Sequence, residues 1–211
     1  MEKEGRDIQM KLVWDRMKSG DEQSLSEIFT FFYPDLYHYG IKVFNLPDLV
    51  KDSIQDVFVR IWEKRRTIGD VLHPKAYLIS SVRRKLLANK ESYRTELPGD
   101  RLKKEETENF YFAASEFIET EEISHQLRQA LVKAINNLPE RQRELIFLRF
   151  YHNLHYLEIA HVMEVNEQTV RNLMQRTLAK LRGQIDRRLW EEIDNLDDLL
   201  LTLFLVFRKI N

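Results

Sequence analysis

Only 6 glycines and 5 prolines punctuate a chain of 211 residues. Folds built on strands use more of both, because tight hairpin turns require positive φ or a φ fixed near that of proline. Long helices joined by short connections need few. The expected fold class is therefore all-α, and the length allows one or two domains. Hydrophobic residues make up 43% of the chain and aromatics 11%, enough to build cores, and cysteine is absent. The lack of thiols removes disulfide scaffolds, thiol nucleophiles and cysteinyl zinc or iron–sulfur sites, and it suits a reducing compartment. The charged amino terminus has no apolar core of signal-peptide length. The apolar run Leu199–Phe207 is about half of the roughly 20 residues that a membrane-crossing helix needs. A cytoplasmic protein without a membrane span is expected.

Apolar periodicity divides the chain. Ile28, Phe31, Phe32, Leu36, Tyr39 and Val43 fall three or four apart, as on an amphipathic helix, with Pro34 set to kink it or to start a second one. In the next helix Val50, Ile54, Val57, Phe58 and Ile61 face a core, while Asp52, Gln55, Asp56 and Arg60 turn elsewhere. Pro74 opens a third helix with Tyr77, Leu78 and Val82 inward. These helices make a first domain, residues 8–92. A second domain, 123–188, begins with the stripe Leu127, Leu131, Val132 and Ile135. The tail 189–211, with Asp194, Asp197 and Asp198 ahead of its apolar run, is expected to pack back on the second domain.

Charge follows the same division. The 33 Lys and Arg against 34 Asp and Glu leave a formal net charge of −1, which alone argues against a nucleic-acid binder. The distribution reverses that argument. Residues 74–90 carry five bases and no acid, residues 91–122 ten acids against four bases, and residues 139–188 nine bases against six acids. Two basic surfaces joined by an acidic linker, residues 93–122, suit a protein that holds phosphates at two places. Phe110, Tyr111, Phe112 and Phe117 are unlike a solvated tether and point to docking of part of the linker on one of the domains.

The strongest motif surrounds Glu164-Val165-Asn166. A helix-turn-helix needs a small residue where two helices cross, apolar residues on their mutual faces and a polar outer face on the second helix. Ala160 is the small residue, and Ile159, Met163, Val165, Val170 and Leu173 form the inner face. Asn166 caps the second helix. Its outer face offers Gln168, Thr169, Arg171, Asn172, Gln175 and Arg176, side chains able to fork onto bases and phosphates. Glu164 stands where glycine is usual, so the turn is either unstrained or bears the cost of a left-handed residue.

The segment "LPERQRELIFLRFYHNLHYLEIAHVMEVNEQTVRNLMQRTLAKLR" resembles region 4 of the bacterial extracytoplasmic-function (ECF) sigma factors of the sigma-70 family. "DLVKDSIQDVFVRIWE" is similar to their region 2.2, and "HPKAYLISSVRRKLLANK" to regions 2.3 and 2.4. The resemblance extends from about Ser24 to Gln184. It implies two helical domains that bind core RNA polymerase and promoter DNA, direct promoter recognition, melting and initiation at a small regulon, and are held inactive by an anti-sigma factor. Asp52, Gln55, Asp56 and Phe58 occupy the positions that dock on polymerase. Lys75, Tyr77, Arg83, Arg84, Lys85 and Asn89 match the −10-reading segment, with Tyr77 where the family often has Trp and Arg84 where Asn is usual. The outer face of the helix-turn-helix would read the −35 element, and the acidic linker would thread toward the polymerase RNA channel.

Other classes find less support. A dimeric operator-binding regulator would need a sensing pocket in place of the basic segment 74–90. An enzyme would need a phosphate loop, metal triplet or nucleophile elbow, none of which the sequence displays. The spacing of His152, His155 and His161 puts at most two on one helical face, with no carboxylate to complete a metal set. No catalytic residue, metal or cofactor is expected.

Overall fold

The computed structural model describes the backbone at residues 2–96, 112, 125–186 and 188, and side chains from residue 9 to 89 and at the later positions. Every regular element among them is helical, with no strand. The chain forms two compact units. The first contains α1 (Glu2–Lys18), α2 (Glu22–Val43), α3 (Pro47–Lys64) and α4 (Pro74–Glu96). The second is built mainly from α5 (His125–Asn136), α6 (Glu140–Ile146), α7 (Tyr156–Met163) and α8 (Glu167–Gln184).

In the first unit α2 is the hub, packed against α1, α3 and α4. Asp21 begins it: its carboxylate accepts from the Gln23 N–H at 3.1 Å and from the Ser24 hydroxyl at 2.5 Å, which stabilises the exposed first turn. The Ser24 hydrogen bond, foremost, holds the Asp21 carboxyl below its ordinary value. Pro34 neither ends nor divides α2, which runs unbroken through it. Buried Phe32 and Leu36 on either side fix the helix against its neighbours and override the missing backbone donor. Phe31, expected on the inner stripe, is 40% exposed.

On α3 the residues Leu49, Val50, Ile54, Val57, Phe58 and Ile61 are buried, as the period requires. Gly40 lets α3 come close to α2, since a methyl group at Gly40 would collide with the Val50 side chain. Helix α4 contributes Leu78, Ile79, Val82 and Leu86 to the same core. An additional helix, α1, buries Met10, Val13, Trp14 and Met17 at positions i, i+3, i+4 and i+7.

In the second unit the α5 stripe of Leu127, Leu131, Val132 and Ile135 is buried. Helix α6 passes directly into a π-helical turn, Phe147–Tyr151, and Phe147, Leu148, Phe150 and Tyr151 all point inward there. A wider turn takes up an extra residue, which lets bulky neighbours share one face. The turn closes through the His152 N–H to the Phe147 carbonyl at 3.1 Å, and Asn153 adopts a left-handed φ of 52°. Arg149 Nη1 then ties the exit by donating to the Leu154 carbonyl at 3.1 Å. Phe112, from the acidic linker, is fully buried in this unit. Phe110, Tyr111 and Phe117 and the tail 189–211 lie outside the described residues.

Candidate nucleic-acid interface

Helices α7 and α8 are joined by the turn Glu164-Val165-Asn166, whose first and last residues end one helix and begin the next. The Glu164 N–H donates to the Ala160 carbonyl as Glu164 takes left-handed φ and ψ of 55° and 48°. The turn is thus the strained alternative, and the side chain of glutamate costs roughly 1 kcal/mol or more there relative to glycine. Asn166 caps α8: its Oδ1 accepts from the Thr169 N–H and from the Thr169 hydroxyl, each at 2.7 Å. At the other end of α7 the His155 N–H donates to Glu158 Oε2 at 2.6 Å, fixing its first turn.

These caps orient α8. Val170, Met174, Thr177 and Leu181 are buried, and the Thr177 hydroxyl is satisfied by the Leu173 carbonyl at 2.7 Å. Met174, one position on from Leu173, is buried, whereas Leu173 and Val165, expected inside, are half-buried. Gln168, Arg171, Asn172, Gln175 and Arg176 are exposed together on the outer face. Thr169 is half-buried and its hydroxyl serves the Asn166 cap, so it does not join that face as a free donor. The face is internally braced: Gln168 Nε2 donates to Asn172 Oδ1 at 2.9 Å, and Arg171 Nε to Glu167 Oε1 at 3.0 Å. The Arg171 guanidinium also lies 4.9 Å from the Tyr156 ring centroid.

In the first unit a groove of about 520 Å³ runs between α3 and α4. Arg60, Lys64, Arg84 and Lys85 line it, with Asp56 and Tyr77. Tyr77 is half-buried, its ring edge-on to fully buried Trp14 with centroids 5.5 Å apart. The aromatic is therefore both a core element and part of a basic wall. Helix α1 also steadies the loop after α3, since Lys18 Nζ donates to the Gly69 carbonyl at 3.1 Å and Lys11 lies 3.9 Å from the Asp70 carboxylate.

The sequence-derived site residues separate accordingly. Asp52, Gln55 and Asp56 are exposed on α3, but Phe58 is 5% exposed and meets Phe29 edge-on at 5.0 Å. Its ring holds α3 to α2 and has no free face for a partner, a correction that its own apolar period explains. Lys75 is likewise not an outward donor, because its ammonium lies 2.7 Å from the Asp35 carboxylate with both side chains largely buried. Asn89 turns its Nδ2 to the Ser53 hydroxyl at 3.4 Å, bridging α4 to α3. Lys85 pairs with Asp56 at 2.7 Å. Arg84 is exposed and Arg83 half-buried. Arg60 and Lys64 were not among the expected residues, yet they follow Asp56 at steps of four, the spacing that shares one helical face.

Among the described residues no cluster of His, Asp and Glu is arranged to hold a metal, and no helix is long and apolar enough to cross a membrane.

Comparison with known proteins adds to this geometry. Residues 128–181 match the family model "Sigma-70, region 4". The ECF RNA polymerase sigma factor SigK of Mycobacterium ulcerans (strain Agy99) is 20% identical over 186 residues, covering 86% of this chain and 96% of that protein. CnrH, solved in complex with the cytosolic domain of CnrY, aligns over 82% of this chain and 94% of its own, with 18% identity and a TM-score of 0.52. The sigma factor RpoE of Bartonella quintana, solved with the anti-sigma factor NepR, aligns over 81% of this chain and 98% of its own, with 20% identity and a TM-score of 0.49. The matched region 4 spans the capped helix-turn-helix, and the 186-residue alignment to SigK extends into the first unit. The chain is thus similar to sigma-70 region 4 over residues 128–181 and, at 20% identity, to an ECF sigma factor over most of its length.

Proposed function

We infer that the protein is a transcription initiation factor that recruits core RNA polymerase to a small set of promoters and itself catalyses no reaction. The observation that carries this reading is the outer face of α8, where five exposed amide and guanidinium side chains stand together on a helix fixed by the Asn166 cap. Such a face matches the donor and acceptor code of a major groove. In this reading Gln168, Arg171, Asn172, Gln175 and Arg176 contact the −35 element.

The −10 element falls to the first unit. Opening duplex costs on the order of 1.4 kcal/mol per stacked step, so the separated strand must be held by phosphate contacts and stacking. The groove between α3 and α4 offers both, through Arg60, Lys64, Arg84 and Lys85 beside Tyr77. Asp52, Gln55 and Asp56 form the face of α3 proposed to dock on a basic surface of polymerase. Residues 8–92 and 123–188 are the proposed functional domains and 93–122 the acidic linker, working in the cytoplasm where polymerase and DNA meet. An anti-sigma factor is the proposed inhibitor, as the resemblance to the ECF sigma factors implies.

Reconstitution with core polymerase tests the reading in one assay. The expected result is co-elution with the enzyme and sequence-specific transcripts whose start sites share two upstream motifs. A chain that neither co-elutes nor initiates refutes it.

A further inference from the structure

Helix α1 holds a residue in each wall of the groove between α3 and α4. One wall carries Tyr77, whose ring meets the fully buried Trp14 ring edge-on with centroids 5.5 Å apart. Such a contact fixes the tilt of a ring as well as its position, because the edge of one must face the π cloud of the other. Trp14 is itself set in close packing, with Val13 and Met17 of the same helix buried alongside it. The other wall includes Ile68, in the loop that leaves α3. On the α3 side this loop is tied by the Ile68 N–H, which donates to the Lys64 carbonyl at 3.0 Å. The far tie comes from α1. Lys18 Nζ donates to the Gly69 carbonyl at 3.1 Å, one residue beyond Ile68, and the Lys11 ammonium lies 3.9 Å from the Asp70 carboxylate. A side chain at Gly69 would meet nothing within 4 Å, so packing does not hold the loop at that residue and the Lys18 hydrogen bond does.

We propose that Trp14 and Lys18 are positioning residues for strand capture: they set the stance of Tyr77 and Ile68, and with it the width of the groove, without contacting DNA themselves. This role rests on the initiation-factor reading. Burial keeps Trp14 from any ligand, and Lys18 directs its ammonium to a backbone carbonyl. An unstacked base is held by an aromatic face at van der Waals distance, and a gap of even half an ångström forfeits a large part of that attraction. A wall already in place costs nothing to order when the strand arrives, whereas a loop that orders on binding draws on the capture energy. On closed duplex that energy must also offset the unstacking of the base pairs. On a promoter already open across the −10 segment the unstacking cost is absent. Loss of positioning therefore lowers opening far more than it lowers recruitment.

The test uses the full chain with core polymerase on two forms of one promoter, closed duplex and a template whose −10 segment is held open by mismatches, with transcript yield as the readout. Lys18→Met removes the donor to Gly69. Its yield is expected to fall about threefold to tenfold on the duplex and by less than about twofold on the opened template. Lys18→Arg keeps a donor in reach and should restore most of the duplex yield. Trp14→Leu should show the same selective loss, and Trp14→Phe, which retains a ring edge toward Tyr77, should keep most of the yield. Should Trp14→Leu fail to fold, the two Lys18 variants decide alone. A loss confined to the duplex and rescued by arginine supports the proposal. An equal loss on both templates, or a salt-dependence slope lowered by about one, makes Lys18 a phosphate contact and overturns it. Wild-type duplex yield from Lys18→Met overturns it as well. A wild-type chain that initiates on neither template overturns the functional reading, and the positioning role with it.

Discussion

The Asp56 carboxylate lies 2.7 Å from the Lys85 ammonium and joins the exposed face of α3 to the basic edge of α4. One residue belongs to the proposed polymerase surface and the other to the proposed DNA surface. Both side chains are substantially exposed, at 58% and 36%, so the pair contributes under about 1 kcal/mol to folding. Asp56→Asn should weaken binding to core polymerase, and Lys85→Ala should lower promoter affinity and reduce the salt-dependence slope by about one. Thermal unfolding should change little in either variant. A large loss of stability with binding intact would make the pair a structural brace instead.

Arg171 is tethered by Glu167 and covers the Tyr156 ring, so a groove contact must compete with an existing one. Arg171→Ala is expected to cost about 1–3 kcal/mol at the base it reads and to relax preference there. Glu167→Gln removes the competing charge and should modestly strengthen the same complex. Binding of the holoenzyme to single-base variants of the −35 element measures both. Equal loss on every sequence from Arg171→Ala would assign it to phosphate rather than base contact.

The left-handed Glu164 makes a third prediction. Glycine there removes the steric cost of a side chain but widens the unfolded ensemble, and the two effects oppose each other. The net expectation for Glu164→Gly is a gain of about 0.5–1 kcal/mol, seen as a melting temperature higher by a few degrees. Glu164→Ala should bring no such gain, because alanine keeps the offending Cβ. A lower melting temperature for the glycine variant would show that other interactions of the glutamate outweigh its strain.

Much of this architecture is written locally, and the exceptions share a cause. The stripes of α3 and α5 read correctly because helical period alone decides which side is buried. The same rule assigns Phe58 to the core, against the position-by-position resemblance that placed it on a docking face. Helix α1 carries an equally regular set, Met10, Val13, Trp14 and Met17, hidden in the sequence by its dense charges. What no local pattern could give is the identity of distant partners. Lys75 is claimed by Asp35 from another helix, and Asn136 by Phe112, 24 positions away in sequence. The π-helical turn at Phe147–Tyr151 was equally silent, since its apolar run fits several registers. Sequence thus exposes the faces of helices more readily than it exposes which polar groups on them are already spoken for.

The crossing of α2 and α3 at Gly40 and Val50 leaves no room for a methyl group. Gly40→Ala should therefore destabilise the first unit by about 1–3 kcal/mol, although alanine is the better helix former. Val50→Ala creates space at the same point, so the double variant should recover part of the loss. Denaturant unfolding of the four species gives the coupling. Additive effects would mean that the crossing relaxes without cost.

His38 on α2 supplies the pH dependence. Burial pushes its imidazole down from 6.5 to about 4, Lys42 adds to the effect, and Asp35 opposes it. The sign follows from proton binding. Below pH 6.5 the unfolded chain takes up a proton that the folded chain refuses until about pH 4, so this residue lowers stability progressively across that window and leaves it unaffected above. The full interval corresponds to at most about 3 kcal/mol, reduced by whatever solvent reaches the half-buried ring. His38→Gln, which cannot titrate, should flatten the decline of stability between pH 6.5 and 4 relative to the wild type. Paired denaturation curves at intervals across that range measure it. If the two proteins lose stability in parallel, the acid sensitivity arises elsewhere in the chain and not in the histidine.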